Sequence, residues 1–152
     1  MANYIKELRE KIGHKRIFMP ASGVIILNDK DEILLQLRVD NNTWAIHGGA
    51  IEIGEDSLTA AKRECQEETG LEVENLKLFK VFEGPDRFNT YPNGDMIQAV
   101  EFIYYTYDYK GELKMQESEV SKLAWFSLDN LPANIFIPNQ KVLSEFIEFM
   151  KK

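Results

Sequence analysis

The sequence predicts one mixed α/β (α+β) domain over residues 1–152, and three observations support this fold class. The chain is about one domain long and 44% of its residues are hydrophobic, so it can bury a full core. Segments with strand character lie on both sides of a central helical pattern. Amphipathic helical patterns also stand near both ends, and this alternation indicates helices packed in layers on a sheet.

The first predicted element is a short amphipathic helix over residues 4–12. Ile5, Leu8 and Ile12 recur at helical spacing, so they form one apolar stripe. Gly13 follows the last of them, and glycine is a common stop signal just beyond a helix.

Two strands are predicted next, over residues 21–27 and 32–38. Residues 28–31 (Asn-Asp-Lys-Asp) have the chemistry of a turn, so the two strands should form a hairpin. A polar loop punctuated by glycine and proline is predicted over residues 84–94. The other predicted elements are an extended segment over 44–46, strands over 73–83, 96–108 and 123–126, and helices over 57–69 and 139–150.

The helix over 57–69 has the clearest boundaries. Asp56 or Ser57 can accept hydrogen bonds from the N–H groups of its first turn, and Gly70 stands where a left-handed residue commonly ends a helix. The loop before it is rich in glycine and leaves room for close approach to a ligand. Its glycines are Gly48, Gly49 and Gly54.

This helix carries a cluster of acids. Glu64, Glu67 and Glu68 stand at i, i+3 and i+4, so their side chains share one face and repel one another. A narrow apolar stripe beside that face, which should seat the helix on a sheet, consists of Leu58, Ala61 and Cys65. A divalent cation would neutralise the cluster, and a site made only of carboxylate oxygens suits Mg²⁺. Magnesium in turn points to a ligand that carries phosphate.

The residues from Gly49 onward resemble the Nudix box of the Nudix hydrolases, the superfamily that includes MutT. Five residues separate Gly49 from Glu55, seven more precede the segment 63–71, and that segment reads Arg-Glu-Cys-Gln-Glu-Glu-Thr-Gly-Leu. Cys65 departs from the usual aliphatic residue, but a buried free cysteine behaves as a small hydrophobe. The resemblance implies a mixed, curved β-sheet in an α/β/α sandwich. It also implies an enzyme that hydrolyses pyrophosphate bonds with Mg²⁺, for which Mn²⁺ can substitute.

The resemblance assigns roles within the box. The metal ligands that it implies are Gly48, through its carbonyl oxygen, Glu64, Glu67 and Glu68. Glu67 or Glu68 also accepts the proton of the attacking water. Arg63 pairs with Glu55 and orients the glutamates through charge-assisted hydrogen bonds.

Three positions outside the box are also expected to matter. An acid six residues before the aromatic strand at Trp125 often completes the site in this family, which selects Glu119, with Glu117 as the competitor. Arg38 matches a position that often contacts substrate phosphate, although a surface ion pair is the alternative. His47 replaces the proline that many relatives have. Its imidazole either touches phosphate and confers pH sensitivity or points away from the cleft.

The substrate is less well determined by the sequence. Phe88 and Tyr91 offer rings for base stacking, and Asn139 resembles a MutT-type position that reads a nucleobase edge, unless it caps the last helix. Pro85 matches only approximately the proline associated with relatives that act on ADP-ribose. The resulting ranking places an ordinary or modified nucleoside triphosphate first, and ADP-ribose or another nucleoside diphosphate sugar second.

Composition limits the class of partner. The net charge of −7 disfavours a nucleic-acid surface, and no apolar run approaches the length of a membrane span. One cysteine and the lack of a signal-like N-terminus lead us to expect a cytoplasmic protein with a small-molecule nucleotide substrate. Dimers are common among relatives, so a homodimer is a candidate state. The alternatives are a non-catalytic nucleotide sensor with a Nudix fold and an enzyme like isopentenyl diphosphate isomerase, which would need a catalytic cysteine.

Overall fold

The computed structural model describes residues 3–152, which form three α-helices and ten strands. The helices are α1 (Asn3–Ile12), α2 (Ser57–Thr69) and α3 (Ile137–Met150), with a short 3-10 turn at Pro85–Arg87. The strands are β1 (Ile17–Ile26), β2 (Glu32–Arg38), β3 (Trp44–Ala45), β4 (His47–Ala50), β5 (Glu72–Glu74), β6 (Lys77–Phe82), β7 (Phe88–Thr90), β8 (Met96–Thr106), β9 (Asp108–Lys110) and β10 (Val120–Ser127).

The main sheet is mixed and has the order β4-β1-β8-β6, with β7 also paired to β8. β1 and β8 run parallel, whereas β4, β6 and β7 pair with their neighbours in antiparallel fashion. β1 lies inside this sheet, and its residues 21–26 are all buried, as expected for a strand covered on both faces. A second sheet has the order β10-β2-β3, and β5 pairs with β9.

The hydrophobic core consists of two clusters, one that includes residues of α2 and one that includes residues of α3. Val24 and Ile26 belong to the cluster that contains residues of α2, whereas Ile25 and Leu27 belong to the cluster that contains Phe146 of α3. Because alternate residues of a strand point to opposite faces, the two helices cover opposite sides of β1. The sequence-based prediction of a mixed sheet between helices is therefore confirmed.

The predicted hairpin between residues 21–27 and 32–38 is wrong. β1 and β2 both exist but belong to different sheets, and only an isolated bridge between Leu27 and Ile33 joins them. Asn28 does form the expected turn, because its side chain accepts hydrogen bonds from the N–H groups two and four residues later. The turn is local, whereas the pairing of β1 with β8 is decided by distant residues.

Several other boundaries differ from the prediction. The segment 73–83 breaks into β5 and β6 at Asn75, which has a positive φ of 53°. The segment 96–108 likewise becomes β8 and β9. The loop predicted over 84–94 contains β7, and β10 is longer than the predicted 123–126. Short strands such as these are stabilised by neighbouring strands, so their own sequences give weak signals.

α1 matches the predicted helix, and its last residue is followed by Gly13, which has a φ of 68°. Its predicted stripe does not enter the core, because none of its residues is buried. Among the helices of the described residues, none is long and apolar enough to span a membrane.

α3 begins two residues earlier than predicted, so Asn139 is not its N-cap. The residue that precedes the helix is Phe136, and Asn139 lies within the first turn. The Asn139 side chain is buried, and its Oδ1 accepts a hydrogen bond of 3.0 Å from the backbone N–H of Ile46. This bond ties α3 to the residue that precedes β4.

Replacing Asn139 with alanine should lower the free energy of unfolding by about 1–3 kcal/mol, because the N–H of Ile46 would stay buried without an acceptor. Urea unfolding measures the change. The control is Ser144→Ala, an exposed site on the same helix, which should change stability by less than about 0.5 kcal/mol. Equal effects of the two substitutions would contradict the role of this hydrogen bond.

Candidate active site

α2 has fixed ends, and these set the rotation of its acidic face. The Asp56 side chain accepts a hydrogen bond of 2.8 Å from the N–H of Thr59, so Asp56 rather than Ser57 is the N-cap. Gly70 follows the helix with a φ of 79° and donates its N–H to the carbonyl of Gln66. Both ends therefore lie where local sequence signals place them.

The acidic face of α2 is itself largely buried, rather than lying beside the buried face of the helix. Glu64 and Glu68 are each only 5% exposed, next to the buried Ala61 and Cys65. Leu58, expected in the apolar stripe, is 38% exposed, so that part of the prediction is wrong. Alanine and cysteine side chains are small, which lets the helix lie close to β1 and β4 and carry its carboxylates beneath the glycine loop.

Arg63 organises three carboxylates from one position. Its guanidinium donates to both oxygens of Glu55, at 2.6 and 2.8 Å, and to Glu64 at 2.9 Å. A longer contact of 3.4 Å reaches Glu67. The hydrogen bonds from Arg63 lower the pKa of Glu55. Arg63 therefore anchors the helix to the loop through Glu55 and holds Glu64 in place.

The glycine loop leaves no room for side chains at the carboxylates. A Cβ at Gly49 would lie 2.6 Å from Cδ of Glu64, so only glycine lets this carboxylate rest against β4. The backbone N–H of Gly48 donates to Oε1 of Glu68 at 2.9 Å. Gly48 also packs closely on the backbone of Ser22 in β1. Two glycines thus bring main chain and carboxylates into contact.

The ionised forms of the two buried glutamates are destabilised by their surroundings. Burial raises the pKa of Glu68 well above its ordinary value, and the charges of Glu64 and Glu119 add to this effect. Burial also raises the pKa of Glu64, while Arg63 opposes the increase. Glu67 is more accessible, with a side chain that is 33% exposed. The site therefore favours a bound cation, which would stabilise the ionised carboxylates.

The residues fit a hard divalent cation. Carboxylate and main-chain oxygens are the ligands that Mg²⁺ and Mn²⁺ prefer, and the cluster supplies them from Glu64, Glu67, Glu68 and Gly48. Over residues 3–152, no three His, Cys, Asp or Glu side chains are already grouped as a metal cage. Arg63 holds Glu64, and the N–H of Gly48 holds Glu68, by hydrogen bonds.

The cluster lies at a cleft of about 910 Å³. Among the residues predicted to bind substrate, Arg38 and Tyr91 line this cleft. Arg38 donates to both oxygens of Asp40, at 2.9 and 2.7 Å, and stacks on the ring of Phe136. These bonds lower the pKa of Asp40. Arg38 therefore forms the ion pair that was the alternative, and its contact with a substrate phosphate stays a prediction that its place in the cleft lining allows.

Two predicted substrate contacts lie outside the cleft. Phe88 is 51% exposed on β7, where its ring packs under the guanidinium of Arg16. Asn139 is buried and bonded to Ile46. Because Asn139 stabilises α3 and Phe88 faces solvent elsewhere, neither lines the cleft with the glutamates. Their sequence positions alone did not reveal this.

Glu119, rather than Glu117, lines the cleft. Glu119 immediately precedes β10, and the pairing of Val120 with Arg38 brings it to the same edge as the end of β2. Its charge is one of those that raise the pKa of Glu68. Glu117 is exposed in the turn before β10. The geometry therefore supports Glu119 as the acid outside the box.

His47 does not contact the cleft. Its side chain is fully buried, and Nε2 lies 2.9 Å from the carbonyl oxygen of Leu34 in β2. Burial lowers the pKa of His47 to about 4, so the ring is neutral near physiological pH. The expectation of a phosphate contact is therefore wrong, and the alternative, that it points away from the cleft, is correct. His14 is exposed and bonded to Asp95.

One wall of the cleft was not predicted from the sequence. α1 contributes Ile5, Lys6, Arg9 and Glu10 to the lining. The amphipathic pattern predicted the helix itself but not its place at the cleft. Glu52, in the box loop, also went unnoticed: its Oε1 accepts hydrogen bonds of 3.0 Å from the first two N–H groups of α1.

Comparison with known proteins identifies the family to which this domain belongs. The family model described as NUDIX domain matches residues 17–146. The chain is 32% identical over 153 residues to the ADP-ribose pyrophosphatase of Methanocaldococcus jannaschii, a match that covers 96% of this chain and 86% of that protein. It is 28% identical over 122 residues to the RNA pyrophosphohydrolase of Pelagibacter ubique, with 72% and 76% covered.

Solved structures show the same architecture. The MutT NUDIX hydrolase from Burkholderia pseudomallei has a TM-score of 0.71 at 27% identity, and the match covers 84% of this chain and 96% of that one. The MutT protein from Bacillus halodurans has a TM-score of 0.70 at 24% identity, with 85% and 82% covered. The second likeness supports the fold alone.

Glu68→Gln should leave the thermal midpoint in metal-free buffer equal to or above that of the wild type near pH 8. The raised pKa of Glu68 means that the folded protein loses stability as pH rises from the ordinary carboxyl range through that raised value. The glutamine removes this loss and can still accept the N–H of Gly48, while Mg²⁺ binding weakens.

The control is Glu67→Gln, which changes a more exposed carboxylate and should not raise the metal-free midpoint. Thermal unfolding followed by circular dichroism between about pH 5 and pH 8 measures both variants against the wild type. A clear drop in the midpoint of Glu68→Gln at every pH would instead show that the charged Glu68 stabilises the fold.

Proposed function

The chain belongs to the NUDIX family and is a Nudix hydrolase, and from this premise we propose that it hydrolyses the pyrophosphate bond of a nucleoside diphosphate linked to another group, with Mg²⁺ as cofactor. Members of this family act on small nucleotides and generally use divalent metal ions. The observation that carries the proposal is a buried pair of carboxylates beside a large cleft: Glu64, held by Arg63, and Glu68, held by the N–H of Gly48.

The proposed roles follow from the positions of the side chains. Glu64, Glu67, Glu68 and the carbonyl of Gly48 would hold Mg²⁺. When bound, the ion offsets the charge of the phosphate oxygens and makes the attacking water more acidic. Arg63 is a positioning residue, because it acts by orienting the glutamates and not by touching substrate. This division resembles other phosphoryl transfers, where positioning and charge compensation dominate.

The reaction needs one proton acceptor. The oxygen of a water molecule forms a bond to one phosphorus, the bond from that phosphorus to the bridging oxygen breaks, and the bridging oxygen leaves with the electron pair on the second phosphate. The proton of the water passes to Glu67 or Glu68, with Glu119 as a third candidate. Position favours Glu68 over Glu67, because Glu68 lines the cleft.

For the substrate class we place ADP-ribose and similar nucleoside diphosphate sugars ahead of nucleoside triphosphates, which reverses the ranking from sequence alone. A cleft of about 910 Å³ has room for groups on both sides of a pyrophosphate. The relative matched over 96% of this chain bears the name ADP-ribose pyrophosphatase. A triphosphate adds negative charge, and acids outnumber basic residues by six to three in the lining of the cleft.

A nucleoside triphosphate, which ranks first from the sequence alone, remains the second candidate, because it contains the same phosphoanhydride linkage. The 5′ end of RNA suits this chain less well, because a net charge of −7 opposes a long phosphate backbone.

We further propose that the protein is cytoplasmic, binds no membrane and forms a homodimer. Light scattering would test the homodimer.

Incubation with a panel of compounds, followed by mass spectrometry of the products, tests the proposed function. The panel contains ADP-ribose, nucleotide sugars, ordinary and oxidised nucleoside triphosphates, dinucleoside polyphosphates and a 5′-triphosphate RNA. We expect cleavage of ADP-ribose to AMP and ribose 5-phosphate with Mg²⁺, and no cleavage with a chelator or with Glu68→Gln. Preferred cleavage of triphosphates would restore the first ranking. Intact compounds throughout would favour a nucleotide sensor.

A further inference from the structure

α1 forms one wall of the substrate cleft. Its cleft-lining residues stand at i, i+1, i+4 and i+5, so they share one face of the helix. They are Ile5, Lys6, Arg9 and Glu10. Because no residue of α1 is buried, packing in the core does not explain where the helix lies. Its position must depend on other contacts.

Polar contacts hold α1 at both ends. At its start, Glu52 of the box loop accepts hydrogen bonds from the N–H groups of Asn3 and Tyr4, each at 3.0 Å. Near its end, the guanidinium of Arg9 donates to the carbonyl oxygens of Gly13, Lys15 and Met96. The first contact joins α1 to the loop that also carries Glu55. These contacts therefore hold the cleft face of α1 in place on the same cleft that Glu64 and Glu68 line.

Positive charge is scarce in the cleft. Six acids line it, and they are Glu10, Asp40, Glu64, Glu68, Asp95 and Glu119. Three cations line it: Lys6, Arg9 and Arg38. The guanidinium of Arg9 is engaged by carbonyl oxygens, and that of Arg38 by Asp40. Within residues 3–152, Lys6 is the cleft cation for which no hydrogen bond or ion pair with the protein is formed.

We propose that Lys6 of α1 is a substrate-binding residue that contacts a phosphate oxygen of the diphosphate. This assignment rests on the proposed function, since it supposes a substrate with a pyrophosphate in this cleft. On the proposed function, Glu64, Glu67 and Glu68 would hold a cation that offsets the charge of the diphosphate. Lys6 offers a free ammonium from the wall formed by α1, where every other charged group is an acid or is already paired. An ammonium on a flexible stem acts as a point charge, which suits a phosphate.

The test measures equilibrium binding of the α,β-methylene analogue of ADP-ribose in the presence of Mg²⁺. A methylene bridge cannot be hydrolysed, so the measurement does not depend on turnover. We expect Lys6→Ala to raise the dissociation constant roughly tenfold, as for the loss of one charge-assisted hydrogen bond. Lys6→Arg, which keeps the charge, should restore most of the affinity. The wild-type affinity should fall more steeply with salt than that of Lys6→Ala.

The matched control is Lys11→Ala. Lys11 is an exposed lysine of the same helix that does not line the cleft, and its loss should leave the dissociation constant unchanged. Equal affinities of Lys6→Ala and the wild type would overturn the assignment, as would equal losses in the Lys6 and Lys11 variants or no binding by the wild type. If the wild type binds the analogue through Lys6 but does not cleave ADP-ribose, the assignment stands and the proposed function fails.

Discussion

Two carboxylates, those of Glu64 and Glu68, are buried on one helix face, and the rest of the site is arranged around this constraint. Burial raises the pKa of both groups, and repulsion adds to it, from Glu67 at Glu64 and from Glu64 and Glu119 at Glu68. Arg63 donates a hydrogen bond to Glu64, and the N–H of Gly48 donates one to Glu68. A bound cation would further stabilise the ionised forms. The carboxylates that lower the stability of the metal-free protein are therefore the same ones that would hold the cation.

The fold serves this constraint by holding three kinds of element together. β1 and β4 bring the glycines against the carboxylates, and the lack of side chains there is what permits the approach. α3 supports the same region from the other face of the sheet, because Asn139 binds the backbone of Ile46 one residue before β4. α1 forms another wall of the cleft and is held by polar contacts at its two ends. Segments far apart in sequence thus line one cleft.

The predictions from sequence succeeded where the signals are local. Asp56 and Gly70 fixed the ends of α2, and the spacing of the glutamates placed them on one face. The hairpin failed because the turn at Asn28 specifies a reversal but not which strand becomes the partner of β1. Asn139 and Phe88 illustrate the same limit. Both side chains could bind a ligand. Asn139 instead accepts a hydrogen bond from a buried backbone N–H, and Phe88 faces solvent. Only the tertiary arrangement decides between such outcomes.

The most direct test of this account is a calorimetric titration of Mg²⁺ into metal-free protein in two buffers with different ionisation enthalpies. If the buried carboxylates are partly protonated without metal, binding must release protons, and the measured heat must differ between the buffers. We predict saturable binding with proton release in the wild type and loss of both in Glu64→Gln. Identical heats in the two buffers, or unchanged binding by Glu64→Gln, would contradict the claim that these carboxylates form the cation site.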